Sequence, residues 1–144
     1  KELSEDHPGL DFVFTRTSDT YVSLLDRLEY AEEQGSHGYL SIQANSFSDP
    51  NVNGAEVLLD RTRREGGPSW HMAKKIQHSL VSKTGARDRG LRYQRLYTRY
   101  TKIPSAMVEV GFLTSPLERR RLASPSYQKA IAQGIIQGLL RYFS

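Results

Sequence analysis

Ser105-Ala-Met-Val-Glu-Val-Gly-Phe112 is a short, apolar, β-branched run, closed off by Pro104 before it and by Thr114-Ser115-Pro116 after it. Such a run, bounded by turn formers, reads as a strand buried on both faces, and a strand of that kind belongs inside a sheet covered by helices. One carboxylate, Glu109, sits in its middle. A carboxylate in an apolar strand is costly unless something pairs with it or uses it. Two readings stay open on these residues alone. Glu109 is either a strand-end Glu paired to an arginine or turned to water, or a general acid/base or metal-site carboxylate with its pKa raised by burial.

Downstream of the strand, Ser115-Pro116-Leu117-Glu118 is a helix start: a capping box with Pro at the first helical position. Ser124-Pro125 repeats the signal and opens a last helix, in which Tyr127, Ile131, Ile135, Leu139 and Tyr142 make one stripe and Ala132, Ile136, Leu140 and Phe143 widen it. Gly134 and Gly138 cost this helix about 1 kcal/mol each in propensity, so they read as positions of close packing against a neighbour.

Upstream, the pattern alternates. Residues 1–9 read as the last turn of a helix running into a turn at His7-Pro8-Gly9, and Leu10–Thr15 has strand composition. Ser23 and Asp26 mark a helix start, with Leu24, Leu25, Leu28 and Ala31 expected inward and Gly35 as its stop. Tyr39–Ala44 and Gly54–Leu59 read as strands on either side of a Ser/Asp/Asn/Pro loop. Ser69 is placed to cap a helix reaching about Lys83, with Met72, Ala73, Ile76 and Leu80 on one face, and Leu91–Tyr100 is expected to be strand at least in part. Strands alternating with helices predict an α/β fold, a single domain over residues 1–144 with a sheet flanked by helices.

The 144 residues suffice for one core. No apolar run approaches the roughly 20 residues that span a bilayer, so no transmembrane segment is expected. The start, Lys1-Glu2-Leu3-Ser4-Glu5-Asp6, has no signal-peptide character. The formal charge of +4 and the runs Arg61-Thr62-Arg63-Arg64, Arg87-Asp88-Arg89 and Arg119-Arg120-Arg121 favour anionic partners. The arginines lack interleaved stacking aromatics, so nucleic acid is not an expected partner. The absence of Cys excludes disulfides and thiolate metal sites. Of the four histidines, His71 and His78 lie seven apart on one expected helix, about 10 Å along its axis, which is too far to share a metal. No nucleophile elbow, P-loop or dinucleotide motif occurs.

Four blocks in order carry a resemblance: Phe14-Thr15-Arg16-Thr17-Ser18-Asp19, Leu25-Asp26-Arg27-Leu28-Glu29-Tyr30-Ala31, Leu40-Ser41-Ile42-Gln43-Ala44-Asn45-Ser46 and Pro104 to Ser115. Gly54-Ala55-Glu56, Arg89-Gly90 and Tyr127 to Ala132 fall at fitting places around them. Together they resemble the zinc-dependent N-acetylmuramoyl-L-alanine amidases, the bacterial cell-wall amidases. The resemblance implies a mixed sheet and hydrolysis of the amide between N-acetylmuramic acid and L-alanine of the stem peptide. It implies zinc as cofactor, held by two His and one Glu, and a further Glu in proton transfer, which maps onto Glu109. Asn45, Ser46 and Gly54 are expected to border the substrate groove. Implied partners are peptidoglycan and an activating or regulatory protein, and the implied location is periplasm, cell wall or extracellular space.

The sequence departs from the family pattern at the metal. Gln43 stands where the family has a His ligand, and a carboxamide is a poor zinc ligand beside imidazole. No Gly-His-Gly block is present to supply another. The expectation is therefore an N-terminally truncated, amidase-like domain without the first strand and most of the first helix, lacking the expected zinc ligands. Such a domain leaves an unpaired sheet edge and is inactive as it stands. The alternative is a non-catalytic module that binds peptidoglycan or a partner protein.

Overall fold

A computed structural model describes residues 1–144, all side chains included except those of Glu2 and Asp6. After a 3-10 turn at Glu2–Asp6, the order is α1 (Leu24–Glu33), β1 (Tyr39–Asn45), β2 (Ala55–Asp60), α2 (Pro68–Thr84), β3 (Asp88–Gln94), a 3-10 turn at Tyr97–Tyr100, β4 (Ser105–Phe112), α3 (Pro116–Leu122) and α4 (Pro125–Phe143). The four strands form one mixed sheet in the order β1-β4-β2-β3. β4 runs parallel to β1 and antiparallel to β2, and β2 runs parallel to β3. The Ser105–Phe112 run is thus the central strand that its composition predicts, buried along its whole length.

Alternation along the strands divides the sheet into two faces. Ala55, Val57 and Leu59 of β2 and Ala106, Val108 and Val110 of β4 meet Met72, Ala73, Ile76 and Leu80 of α2 and Ile131, Ile135 and Leu139 of α4 in one core. The two helices touch backbone to backbone: a Cβ at Gly138 would lie 2.5 Å from the Ile76 Cα, and one at Gly134 would lie 2.8 Å from the Leu80 Cα. The expected packing role of the two glycines is therefore literal. The opposite face carries Ser41, Gln43, Met107, Glu109, Glu56, Leu58 and Asp60. α1 covers its end, where Leu28 and Ala31 cluster with Tyr39 of β1, and Tyr97 and Ile103 pack against them.

Four expectations fail locally. Leu10–Thr15 forms no strand: Leu10 and Phe12 pack as irregular chain against the core, while Val13 and Phe14 are exposed. Leu24 and Leu25 point outward and only Leu28 and Ala31 are buried, so α1 presents a narrow stripe. Gly67, not Ser69, is the N-cap of α2; Ser69 lies inside the helix, buried, and its Oγ accepts from the Ser105 N–H at 2.9 Å. The third segment of strand pattern begins earlier than expected, at Asp88, and ends at Gln94, where the chain turns into the 3-10 turn.

The Ser115 capping box forms by half. Ser115 Oγ accepts from the Glu118 N–H at 3.3 Å, but the Glu118 carboxylate does not return to the cap. Its Oε1 accepts from the Gly54 N–H at 2.9 Å and the Phe112 N–H at 3.0 Å, tying the start of β2 to the end of β4. Glu118 is buried, so replacing it with Ala strands two buried donors at roughly 1–3 kcal/mol each. Glu118→Ala is expected to lower stability by about 2–4 kcal/mol in urea unfolding, while Glu118→Gln, which keeps an acceptor, loses less; equal losses would show that the clasp is not the cause.

Candidate active site

Glu109 is set by the register of the central strand. Its Cα partner on β1 is Gln43 and its Cα partner on β2 is Glu56, so the three side chains form a row across the sheet. Beyond Glu109 the register slips: β4 advances from Glu109 to Phe112 while β1 advances only from Gln43 to Asn45. The extra residue is a β-bulge, and it turns Phe112 to the same face as Glu109. Gly111, at φ 157°, takes the bend, and a Cβ there would press within 3.1 Å of the Glu118 carboxylate.

The two carboxylates in the row have different surroundings. Glu56 accepts from the Asn45 Nδ2 at 3.3 Å and is ion-paired with Arg89 at 3.2 Å and Arg92 at 2.8 Å. Glu109 is 5% exposed, and its Oε2 is buried with no hydrogen-bond partner. Burial, and then the neighbouring Glu56 charge, push the Glu109 carboxyl above its ordinary value of 4.5. Asp60, on the same face of β2, makes the contrast. Burial pushes it up as well, but donation from Thr62 and Leu96 overcomes this and holds it below its ordinary 3.8. Burial alone therefore does not mark Glu109; burial without donors does.

Gln43 is half-buried, and its Nε2 donates to the Ser41 Oγ at 3.3 Å and contacts the Met107 Sδ at 3.1 Å. It is the neighbour of Glu109 in the row and presents N–H to its surroundings. Asn45 reaches over to Glu56, and its Oδ1 accepts from the Ser46 N–H, which shapes the exposed turn after β1. Gly54 is buried, with φ 119°, and a Cβ there would collide with the Arg87 carbonyl at 2.6 Å. It also abuts the Arg89 side chain, whose Cγ would lie 2.9 Å from that Cβ. His71 and His78 are exposed on α2, which covers the opposite face, and His37 is exposed before β1. Among the described residues no three His, Cys, Asp or Glu side chains come together to hold a metal ion. The donors among the described residues do not fit a two-His, one-Glu zinc site.

Glu56 and Arg89 fall in blocks that motif reading quotes but gives no role, and Arg92 lies outside them. The signal was a second glutamate two residues after Gly54, within an otherwise apolar strand. Most of this face is buried, with Glu109, Glu56, Leu58, Met107 and Asp60 all nearly inaccessible; two clefts of about 440 and 470 Å3 run along residues 1–19, and neither is lined by Glu109, Gln43 or Asn45.

A family model described as N-acetylmuramoyl-L-alanine amidase matches residues 1–141. The chain belongs to the N-acetylmuramoyl-L-alanine amidase family. The amidase LytC of Bacillus subtilis is 33% identical over 132 residues, 91% of this chain but 26% of LytC. The crystal structure of an N-acetylmuramoyl-L-alanine amidase from Clostridium difficile 630 superposes with a TM-score of 0.92 at 31% identity, covering 98% of this chain and 76% of that one. The CwlD amidase from Clostridioides difficile, solved in complex with the GerS lipoprotein, superposes with a TM-score of 0.76 at 26% identity, covering 83% of this chain and 60% of that one. The chain thus spans about a quarter of the length of LytC. As the amidase family implies, the fold is a single α/β unit on a mixed sheet, and no helix among the described residues is long and apolar enough to cross a membrane.

The raised Glu109 carboxyl has a consequence for stability. A group whose folded-state pKa is raised contributes stability below its unfolded value and loses it as pH rises through the folded one. Glu109→Gln carries no titrating group, so urea midpoints measured from pH 4 to 8 are expected to show wild type falling progressively behind Glu109→Gln above about pH 4.5. A gap that is constant with pH would contradict the raised carboxyl.

Proposed function

We propose that this domain binds the muramoyl peptide of peptidoglycan along the sheet face that carries Glu109, with Glu109 against the N-acetylmuramoyl–L-alanine amide. The observation that carries this reading is the placement of Glu109: central strand, nearly dry, one oxygen without a donor, beside a second carboxylate. A carboxyl whose pKa is raised in this way is suited to proton exchange: its acid form gives a proton to a leaving amine, and its anion takes one from an attacking water. Family membership supplies the substrate class. Peptidoglycan lies outside the cytoplasmic membrane, so the same reading places the protein at the cell wall or in the periplasm.

Zinc is the group the family implies, and when bound it supplies a water of lowered pKa and a polarised carbonyl. The donor set here does not fit it, so we derive no step through the metal. On these residues the 144-residue chain binds muramoyl peptide without turning it over. That donor set also favours a second reading, a non-catalytic module that binds peptidoglycan or a regulatory protein, in line with a relative solved together with a lipoprotein.

The test is zinc content and turnover together. After dialysis against excess zinc and then buffer, the chain is expected to retain well under one zinc and to release no L-alanyl peptide from an N-acetylmuramoyl peptide. The Gln43→His variant is expected to behave alike, because one restored ligand is fewer than the about three a catalytic site needs. One zinc per chain, or turnover lost in Glu109→Gln, would establish a working amidase instead.

A further inference from the structure

Arg89 and Arg92 share one counter-charge. Both approach the same oxygen, Oε2 of Glu56, through Nε, at 3.2 and 2.8 Å. No Nη nitrogen of either arginine has a hydrogen-bond partner among the described residues. The two differ in freedom. Arg89 lies with its guanidinium 5.0 Å from the centre of the buried Phe112 ring, and its side chain is 18% exposed. Arg92, on the edge strand β3, is 52% exposed and turns its fork to solvent.

The charges do not cancel. One carboxylate, Glu56, faces two guanidiniums. The cluster therefore carries an unmatched guanidinium beside the acid/base group. Glu109 and Glu56 are register partners across β4 and β2, and β3 is the next strand. At about 4.8 Å per strand the β3 axis lies on the order of 10 Å from the β4 axis, and the Arg92 fork, drawn toward Glu56 on β2, lies between about 5 and 10 Å from it on the same face. An extended peptide advances about 3.3 Å per residue, so this offset corresponds to about two to three residues.

We propose that Arg92, backed by Arg89, is a subsite for a carboxylate of the bound peptide, two to three residues from the amide held at Glu109. This rests on the reading of the face as a muramoyl-peptide site. A planar guanidinium with both Nη donors free matches a carboxylate bidentately. If the two arginines served only to neutralise Glu56, a carboxylate on the ligand would make no difference to binding.

The experiment is calorimetric titration of the chain with an N-acetylmuramoyl-L-alanyl peptide bearing free carboxylates, and with the same peptide carrying carboxamides in their place. The acid form is expected to bind about fivefold tighter at low salt, with the advantage shrinking as salt rises. In Arg92→Gln the acid form is expected to fall to the affinity of the carboxamide form, while thermal unfolding checks that the fold survives. Arg92→Lys, which keeps charge but not the fork, is expected to retain only part of the preference. Equal binding of the two forms by wild type, or a full preference persisting in Arg92→Gln, overturns the subsite and leaves the peptide site standing. Binding of neither form overturns both.

Discussion

Two carboxylates on neighbouring strands, facing each other on an almost dry sheet surface, are the constraint on which this structure turns. Glu56 and Glu109 are Cα partners across β2 and β4, and like charges so placed cannot both be left bare. The fold resolves the conflict asymmetrically. Glu56 receives Arg89, Arg92 and Asn45. Glu109 receives no donor at its buried oxygen, and its remaining recourse is to hold its proton. The arginines of β3, the asparagine at the end of β1 and the acid on β4 are thus parts of one electrostatic arrangement spread over all four strands.

The scaffold makes that arrangement rigid from behind. α2 and α4 press on the opposite face closely enough that two glycines meet helix backbone. At the end of β4 a bulge brings Phe112 under the Arg89 guanidinium, and Glu118 pins the bulge to Gly54. A buried carboxylate that accepts two backbone N–H groups costs far less than an orphaned one. Glu118, Asp60 and Glu109 are three buried acids in one small domain, and only the last has no such compensation. The distinction lies in the donors around each carboxylate, which sequence does not display.

What could be read in advance follows the range of the interactions. The central strand, the α2 and α4 stripes and the Ser115-Pro116 start depend on local pattern, and all are found. Leu10–Thr15 has strand composition but pairs with no strand among the described residues, and pairing is a tertiary matter. Ser69 looked like a cap because Ser favours that place; the chain uses it instead to accept from Ser105, 36 residues away. Glu109 was legible as an anomaly in an apolar run. Its partner Glu56 was not, because register across antiparallel strands is set by the whole sheet. Gln43 was identified by its place in a motif, and the structure adds that its amide donates within the face.

Family membership alone does not assign chemistry to a chain that spans about a quarter of a relative such as LytC. The case for this face rests on the electrostatics of Glu109, which are directly measurable. The decisive measurement is an NMR titration of the Glu109 carboxyl carbon, in wild type and in Glu56→Gln. The account predicts a wild-type midpoint above 4.5, and a lower one in Glu56→Gln that still exceeds 4.5, because burial is the larger cause and the Glu56 charge the smaller. A wild-type midpoint at or below 4.5, or one that ignores the loss of Glu56, would contradict it.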